Sequence, residues 1–452
     1  LLFPGQYIHI GGDEAPKKRW KECEKCQKVI SDNKLKDEHE LQSYFIQKMD
    51  KYLTSKGKRL IGWDEILEGG LSQNAAVMSW RGFEGGIEAA KQEHYVVMSP
   101  GSNCYFDHYQ GKKNEPLAIG GYTPLEKVYE FNPIPPDLYK SYHSYILGGQ
   151  ANLWTEYIAD FKKLEYMTYP RAIALSQTLW SIEKIDYKNF KSILLNNHFN
   201  YLLSKNVNFS QVAFYPEVDW KRSKDGVKFK INSCNEAVKI DLDYSIKENT
   251  KKDRFFHEEN KNFTLATNQW LEINRPKKGL VKHDYSLKTS DNSTTSHFSI
   301  YATHALGLPV KYITEPSSNY NSGDLTLVDG QFGSLPWKGN EWIGFNKNNV
   351  QIELDLDKKF KNCLISVRFL SDENSWIHFP NDAKIVLDDG SEMVNPKIEI
   401  NDNQQIKTFS FQLTKKTRKV KLVIDSIKPI PNGLPGEGNI PWTFIDEIQV
   451  IR

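Results

Sequence analysis

The chain has 452 residues, of which 39% are hydrophobic and 26% charged, and its net charge is +2. These values fit a folded chain of about three ordinary domains, and so small a charge leaves no footprint for nucleic acid or an anionic membrane surface. No run of eighteen apolar residues offers a transmembrane helix, and five cysteines are too few and too scattered for a disulfide scaffold.

The first informative stretch is Tyr7-Ile-His-Ile-Gly-Gly-Asp-Glu14. A short apolar run reads as a strand, and the two glycines after it let a ligand approach the backbone closely. Where the strand opens into a loop, neighbouring Asp13 and Glu14 can both turn into a pocket, and paired carboxylates are the usual equipment for proton transfer. Taken alone, this stretch reads equally well as a solvated turn. His9, one step upstream, has no partner His at metal-ligand spacing, so no metal is expected here. Cys23 and Cys26 form a lone C-x-x-C. Half a zinc site, a redox pair and a local clip all stay open, with the clip the simplest. Residues 37–55 place Leu41, Phe45, Met49 and Tyr52 at helical spacing, with Gly57 beyond as a stop, and predict a helix. Strand-like runs then follow at 59–63, 75–80, 95–99 and 146–151. Strand, helix, strand is the grammar of a parallel sheet.

Each of these runs closes on a chemically loaded motif: Gly62-Trp63-Asp64-Glu65, Val77-Met78-Ser79-Trp80-Arg81-Gly82, Tyr105-Phe106-Asp107, and Gly149-Gln150-Ala151-Asn152-Leu153-Trp154-Thr155-Glu156. With residues 3–14 and the segment from Tyr169-Pro-Arg171 to Trp180, this ordered set resembles glycoside hydrolase family 20, the β-N-acetylhexosaminidases, over about residues 1–215. The resemblance implies a (β/α)8 TIM barrel with its catalytic groups at the C-terminal strand ends. In that family the Asp-Glu pair ends the fourth strand, so only strands four to eight are expected in this chain. It also implies an exo-acting, retaining enzyme in which the substrate's own 2-acetamido group is the nucleophile. Glu14 is then the general acid and later base, with a pKa raised by burial. Asp13 orients the acetamide and Tyr105 grips its oxygen. Trp63, Trp80 and Trp154 wall the pocket, and Asp107 and Glu156 bind the sugar hydroxyls at O4 and O6. Asp64 and Arg81 are expected as structural support. No cofactor is implied, the partner is an N-acetylhexosamine-containing glycan, and the family points to an extracellular, periplasmic or cell-surface location. A non-catalytic carbohydrate-binding protein and a disaccharide-releasing lacto-N-biosidase are the competing readings.

Beyond Tyr215 the texture changes to short alternating strands, such as 227–231 and 270–273. Residues 216–312 read as a small β-rich module and 313–452 as a β-sandwich or jelly roll, with strands at 350–356, 381–387, 408–413 and 419–424. Leu327-Val-Asp-Gly-Gln-Phe-Gly333 with Trp337, Gly339 and Trp342, and Phe369 to Asp372 with Ser375-Trp-Ile377, resemble discoidin-like (coagulation factor 5/8 type C) domains. Such domains bind carbohydrate at their loops or hold a structural calcium ion. Asn208, Asn262 and Asn292 head glycosylation sequons, which matter only in a eukaryotic secretory pathway.

Overall fold

The computed structural model describes residues 3–112, 115–181, 183, 185–215, 217–232, 240–250, 254–255, 259–265, 269–289, 295–401 and 404–452. Cys234 and the sequon at Asn292 lie outside them. The chain divides into two compact units. One comprises Leu1–Gln110 and Pro116–Ala213, the other Gly111–Glu115 and Phe214–Arg452. Among the described residues no helix is long and apolar enough to cross a membrane.

The first unit is built on five parallel strands in chain order, β1 (Tyr7–His9), β2 (Arg59–Trp63), β3 (Ala76–Ser79), β4 (Val96–Met98) and β5 (Ile146–Gly149). Crossovers carry α1 (Lys18–Glu22), α2 (Glu24–Asp32) and α3 (Glu38–Ser55) before β2, then α4 (Glu84–Lys91) before β4. Between β4 and β5 come α5 (Gly101–Cys104) and α6 (Leu125–Glu130). After β5 come α7 (Phe161–Thr168), α8 (Arg171–Trp180), α9 (Tyr187–Ile193) and α10 (Phe199–Ser204). Leu60, Val77, Val96 and Met98 are fully buried, as the middle strands of a covered parallel sheet require.

Helix α3 begins where Asp37 caps it, accepting the His39 and Glu40 amides. Its buried face is not the apolar stripe read from sequence. Phe45 and Tyr52 are 55% and 61% exposed, whereas Gln42, Ser43, Ile46 and Asp50 are buried. The reason is specific hydrogen bonding. Gln42 donates to the Glu65 carbonyl (3.2 Å), Ser43 donates to the Gly70 carbonyl (2.5 Å), and Ser72 donates to Asp50 (2.5 Å). Those bonds fix the helix on the loop after β2 by a polar face, which periodicity in apolar residues cannot reveal.

In the second unit Glu217–Arg222, Gly226–Asn232 and Trp270–Asn274 form an antiparallel sheet, and Val227, Phe229 and Ile273 share a core with Tyr285 and Ile300. Two further antiparallel five-stranded sheets pack on one large core. One side supplies Val350, Ile352, Leu354, Leu422 and Ile424, the other Ile365, Val367, Phe369, Phe409 and Ile445. Val310–Tyr312 pairs with Asn349–Phe360, so these residues belong to the last module's sheet rather than to the middle module. Cys363–Leu370 and Thr443–Ile451 are strands that the sequence does not announce, because both are buried almost throughout and show no alternation.

Thr443–Ile451 carries two fully buried acids. Asp446 accepts the Gly333 amide (2.7 Å) and pairs with Arg368 (2.6 Å), while Glu447 accepts the Gly330 amide (3.2 Å). Asp329 nearby is held by the Gln331 amide and side chain. Among the described residues no group of three or more His, Cys, Asp or Glu side chains is disposed to hold a metal, while Asp446 Oδ1 and Glu447 Oε1 are buried with no hydrogen-bond partner. Burial, opposed by Arg368, pushes Asp446 from 3.8 up to about 6, and burial with repulsion from Asp329 and Asp446 pushes Glu447 well up. The folded chain therefore binds more protons than the unfolded one between these limits. The stability contributed by Asp446, about 3 kcal/mol, is complete below 3.8 and is lost as pH rises through about 6. Urea denaturation of the chain is expected to give this unit a higher midpoint at about pH 5 than at about pH 7.5, and Glu447→Gln to flatten the difference. Midpoints independent of pH in the parent chain would refute this.

Candidate active site

Because the five strands of the first unit are parallel, their C-terminal ends lie on one side of the sheet. Asp13 and Glu14 follow β1, Trp63 ends β2 and Trp80 follows β3. Tyr105 and Asp107 follow β4 through α5, and Trp154 and Glu156 follow β5. Gly11 and Gly12 have φ of 72° and 103°, a region open to glycine, and they turn the chain sharply out of β1. A Cβ on Gly12 would sit 2.7 Å from Ile66, so the approach of this loop to the segment after β2 requires glycine. Trp63 donates its amide to the Gly11 carbonyl at 2.9 Å and fixes the two strand ends in register.

Aromatic rings link these ends. His9 meets Trp63 edge-on at 5.0 Å, Trp63 meets Trp154 at 6.1 Å, and Trp80 stacks on Tyr105 at 6.1 Å with 25° between planes. Tyr105 forms an isolated parallel bridge with Asn152, which extends the β4–β5 pairing to the strand ends. Burial pushes the Tyr105 hydroxyl up to about 12 against hydrogen bonds with the Trp154 and Asn152 side chains. It stays protonated at any working pH and serves as a fixed donor. Asp107 is buried, and Oδ1 has no hydrogen-bond partner among the described residues. Burial raises its pKa, Arg171 opposes the rise and Glu156 adds to it, so these three charges feel one another. An orphaned buried carboxylate oxygen at a pocket wall suits a sugar hydroxyl donor.

The acid pair departs from expectation. Asp13 and Glu14 are both exposed, and Glu14 has no side-chain hydrogen bond or ion pair among the described residues. The physical reason is position, since β1 is the outer strand of the described sheet and no described strand covers its far edge. Trp154 is likewise 43% exposed and Glu156 is exposed. The aromatic residues and Asp107 are thus brought together between β2 and β5, while Asp13 and Glu14 are exposed in the loop after β1.

Asp64 and Arg81 act as the sequence suggests. Arg81 binds Asp64 at 3.0 Å and Glu68 at 3.2 Å, and burial pushes Asp64 from 3.8 up to about 6 despite that guanidinium. Three residues in the quoted motifs have roles that sequence alone did not disclose. Glu65 accepts the Trp80 indole N–H through both oxygens (3.2 and 3.0 Å) and fixes that ring beside Tyr105. Asn152 is anchored by donating to Ser99 at 2.7 Å and braces the Tyr105 hydroxyl. Arg171, fully buried, donates to the carbonyls of Phe106, His108 (3.1 Å), Thr123 (2.9 Å) and Met167 (2.6 Å), so α8 clamps the loop bearing Tyr105 and Asp107. The only sequence signal for it was its place in the Tyr169-Pro-Arg171 motif.

Residues 1–183 match the glycosyl hydrolase family 20 catalytic domain. The chain is 58% identical over 192 residues to a β-hexosaminidase of Porphyromonas gingivalis, covering 42% of this chain and 25% of that protein. It is 34% identical over 180 residues to a β-hexosaminidase of Vibrio furnissii, covering 39% of this chain and 29% of that one. Among solved structures it is similar to an exo-β-N-acetylglucosaminidase from Vibrio harveyi in complex with N-acetylglucosamine, at 30% identity and a TM-score of 0.42, over 47% of this chain and 34% of that one. The chain spans about a quarter of the length of the P. gingivalis relative.

Proposed function

We propose that the family 20 segment carries the acid pair and the sugar pocket of an exo-acting, retaining β-N-acetylhexosaminidase, its five parallel strands being strands four to eight of a (β/α)8 barrel. The observation that carries this reading is the cluster of Tyr105, Trp80, Trp63, Trp154 and Asp107 at the strand ends that also carry, after β1 and a Gly-Gly turn, the acid pair Asp13-Glu14. A pyranose lays its C–H face on indole, and an acetamide methyl needs an apolar box. Tyr105 donates to the acetamide oxygen and aims it at the anomeric carbon. Holding that nucleophile is worth several kcal/mol, ~7–11 at best. Asp13 accepts the acetamide N–H and stabilises the charge of the cyclic intermediate. Glu14 protonates the leaving oxygen and then takes a proton from the incoming water. The oxygen of Asp107 and the Glu156 carboxylate receive hydroxyls at O4 and O6, which favours a single terminal sugar over a disaccharide. No cofactor enters this sequence of steps.

In the same reading, the last module is discoidin-like and offers a glycan surface at its loop end. Trp376, 39% exposed at φ 60°, follows a turn in which Asp372 accepts the Trp337 indole N–H (2.6 Å) and the Ser375 hydroxyl (2.8 Å). A location outside the cytoplasm accompanies a glycan substrate.

The test compares nitrophenyl N-acetyl-β-glucosaminide with nitrophenyl β-glucoside, which lacks the acetamide, in a protein whose barrel is closed. The first is expected to release nitrophenol and the second is not, with Asp13→Asn losing turnover and keeping the fold. Equal rates on both substrates would sink the acetamide mechanism.

A further inference from the structure

Cys23 and Cys26 are used by nothing above. Cys23 is the N-cap of α2, with extended backbone at φ −90° and ψ 111°, and its Sγ accepts the Cys26 amide at 3.5 Å. Both are free and half-buried, whereas Cys104 and Cys363 are buried deep in their units. The two side chains also bond each other. The Cys26 amide and thiol both donate to Cys23 and lower its pKa, and the proton that Cys26 gives raises its own. Lys25 between them adds a positive charge. Burial pushes Cys104 up to about 12 and Cys363 up to about 11, which leaves those thiols inert. A zinc site lacks its ligands, because no group of three or more His, Cys, Asp or Glu side chains among the described residues can hold a metal.

We propose that Cys23 and Cys26 are a reversible dithiol–disulfide pair that exchanges with small-molecule or protein disulfides, Cys23 attacking and Cys26 resolving. The Cys23 thiolate attacks one sulfur of the incoming disulfide and expels the other as a thiolate. The Cys26 thiolate, having given up its proton, then attacks the Cys23 sulfur of the mixed disulfide and expels the second thiolate. The pair loses two electrons and two protons, and the incoming disulfide leaves as two thiols. An N-capping cysteine followed three residues later by a second one in the first helical turn brings two sulfurs together without moving the helix, and its hydrogen-bond donors make the first sulfur the better thiolate.

The chain is equilibrated in oxidised and reduced glutathione, quenched with iodoacetamide and mapped by mass spectrometry. A Cys23–Cys26 cross-linked peptide is expected to rise with the oxidised fraction and to vanish with dithiothreitol. Cys26→Ser retains glutathione on Cys23 as a stable mixed disulfide, while Cys23→Ser leaves Cys26 roughly tenfold slower to alkylate than Cys23 is in the parent chain. The parent cross-link does not depend on how either variant folds. Absence of the cross-link, alkylation of Cys26 as fast as Cys23, or stoichiometric zinc that is lost in Cys23→Ser would each overturn the proposal.

Discussion

Glu14→Gln is expected to cut kcat on N,N′-diacetylchitobiose by roughly 10²- to 10⁴-fold, the usual worth of a positioned general acid and base. On the nitrophenyl glycoside the loss in the bond-breaking step is expected to be far smaller, because nitrophenolate leaves without a proton. Glutamine fills the same space and accepts hydrogen bonds, but it neither gives nor takes a proton. Glu14 is exposed and makes no hydrogen bond or ion pair among the described residues, so the substitution has no fold to disturb. The contrast between leaving groups is the decisive readout, since a residue that merely shaped the pocket would slow both substrates equally. Equal losses on the two substrates would remove Glu14 from the acid role, and retained activity on chitobiose would remove it from the mechanism.

Arg171→Met is expected to destabilise the first unit by about 3–5 kcal/mol, the range for removing one member of a fully buried charged network. The guanidinium lies at 0% exposure and serves the carbonyls of Phe106, His108, Thr123 and Met167 at once. Methionine fills much of the volume but leaves those acceptors buried and unpaired. Arg171→Lys should rescue little, because an ammonium is a single point of charge and cannot reach carbonyls spread across a planar fork. Arg171→Met should also let Asp107 protonate more readily, since Arg171 is the charge that opposes its burial, whereas Arg171→Lys keeps a positive charge there. Urea denaturation followed at the first unit measures the loss, and an unchanged midpoint in Arg171→Met would show that the clamp is dispensable.

How much of this could be read from the chain depends on what each residue does. The strands at β1 to β5 were legible because short apolar runs end in glycine or in motif residues, and so was the placement of Trp63, Trp80, Tyr105 and Trp154 at strand ends, because each motif closes a strand. Helix α3 was legible in extent, from the Asp37 cap to Gly57, but not in orientation. Its contacts are made by Gln42, Ser43 and Asp50, and the cue from Phe45 and Tyr52 pointed to the wrong face. Glu65 and Arg171 were visible as motif members and opaque in role, because their partners lie 15 residues or more along the chain or on backbone carbonyls. The exposure of Glu14 follows from β1 lying outermost among the described strands, a property of the sheet and not of the local sequence. Thr443–Ile451 was hidden by its own acids, which break an otherwise apolar run at its most buried point.

The stacking of Trp80 on Tyr105, with the indole N–H tied to Glu65, also gives the pocket an optical handle. A carboxylate on the indole nitrogen and an aromatic ring across its face set the emission of Trp80, and under the proposed function a sugar seated there would exchange solvent at that ring for C–H groups. Occupancy therefore registers as a change in intrinsic fluorescence, and a Trp80→Phe variant marks which part of the signal comes from the pocket. Ligand titrations can follow binding in this way without a chromogenic substrate and in variants that no longer turn over.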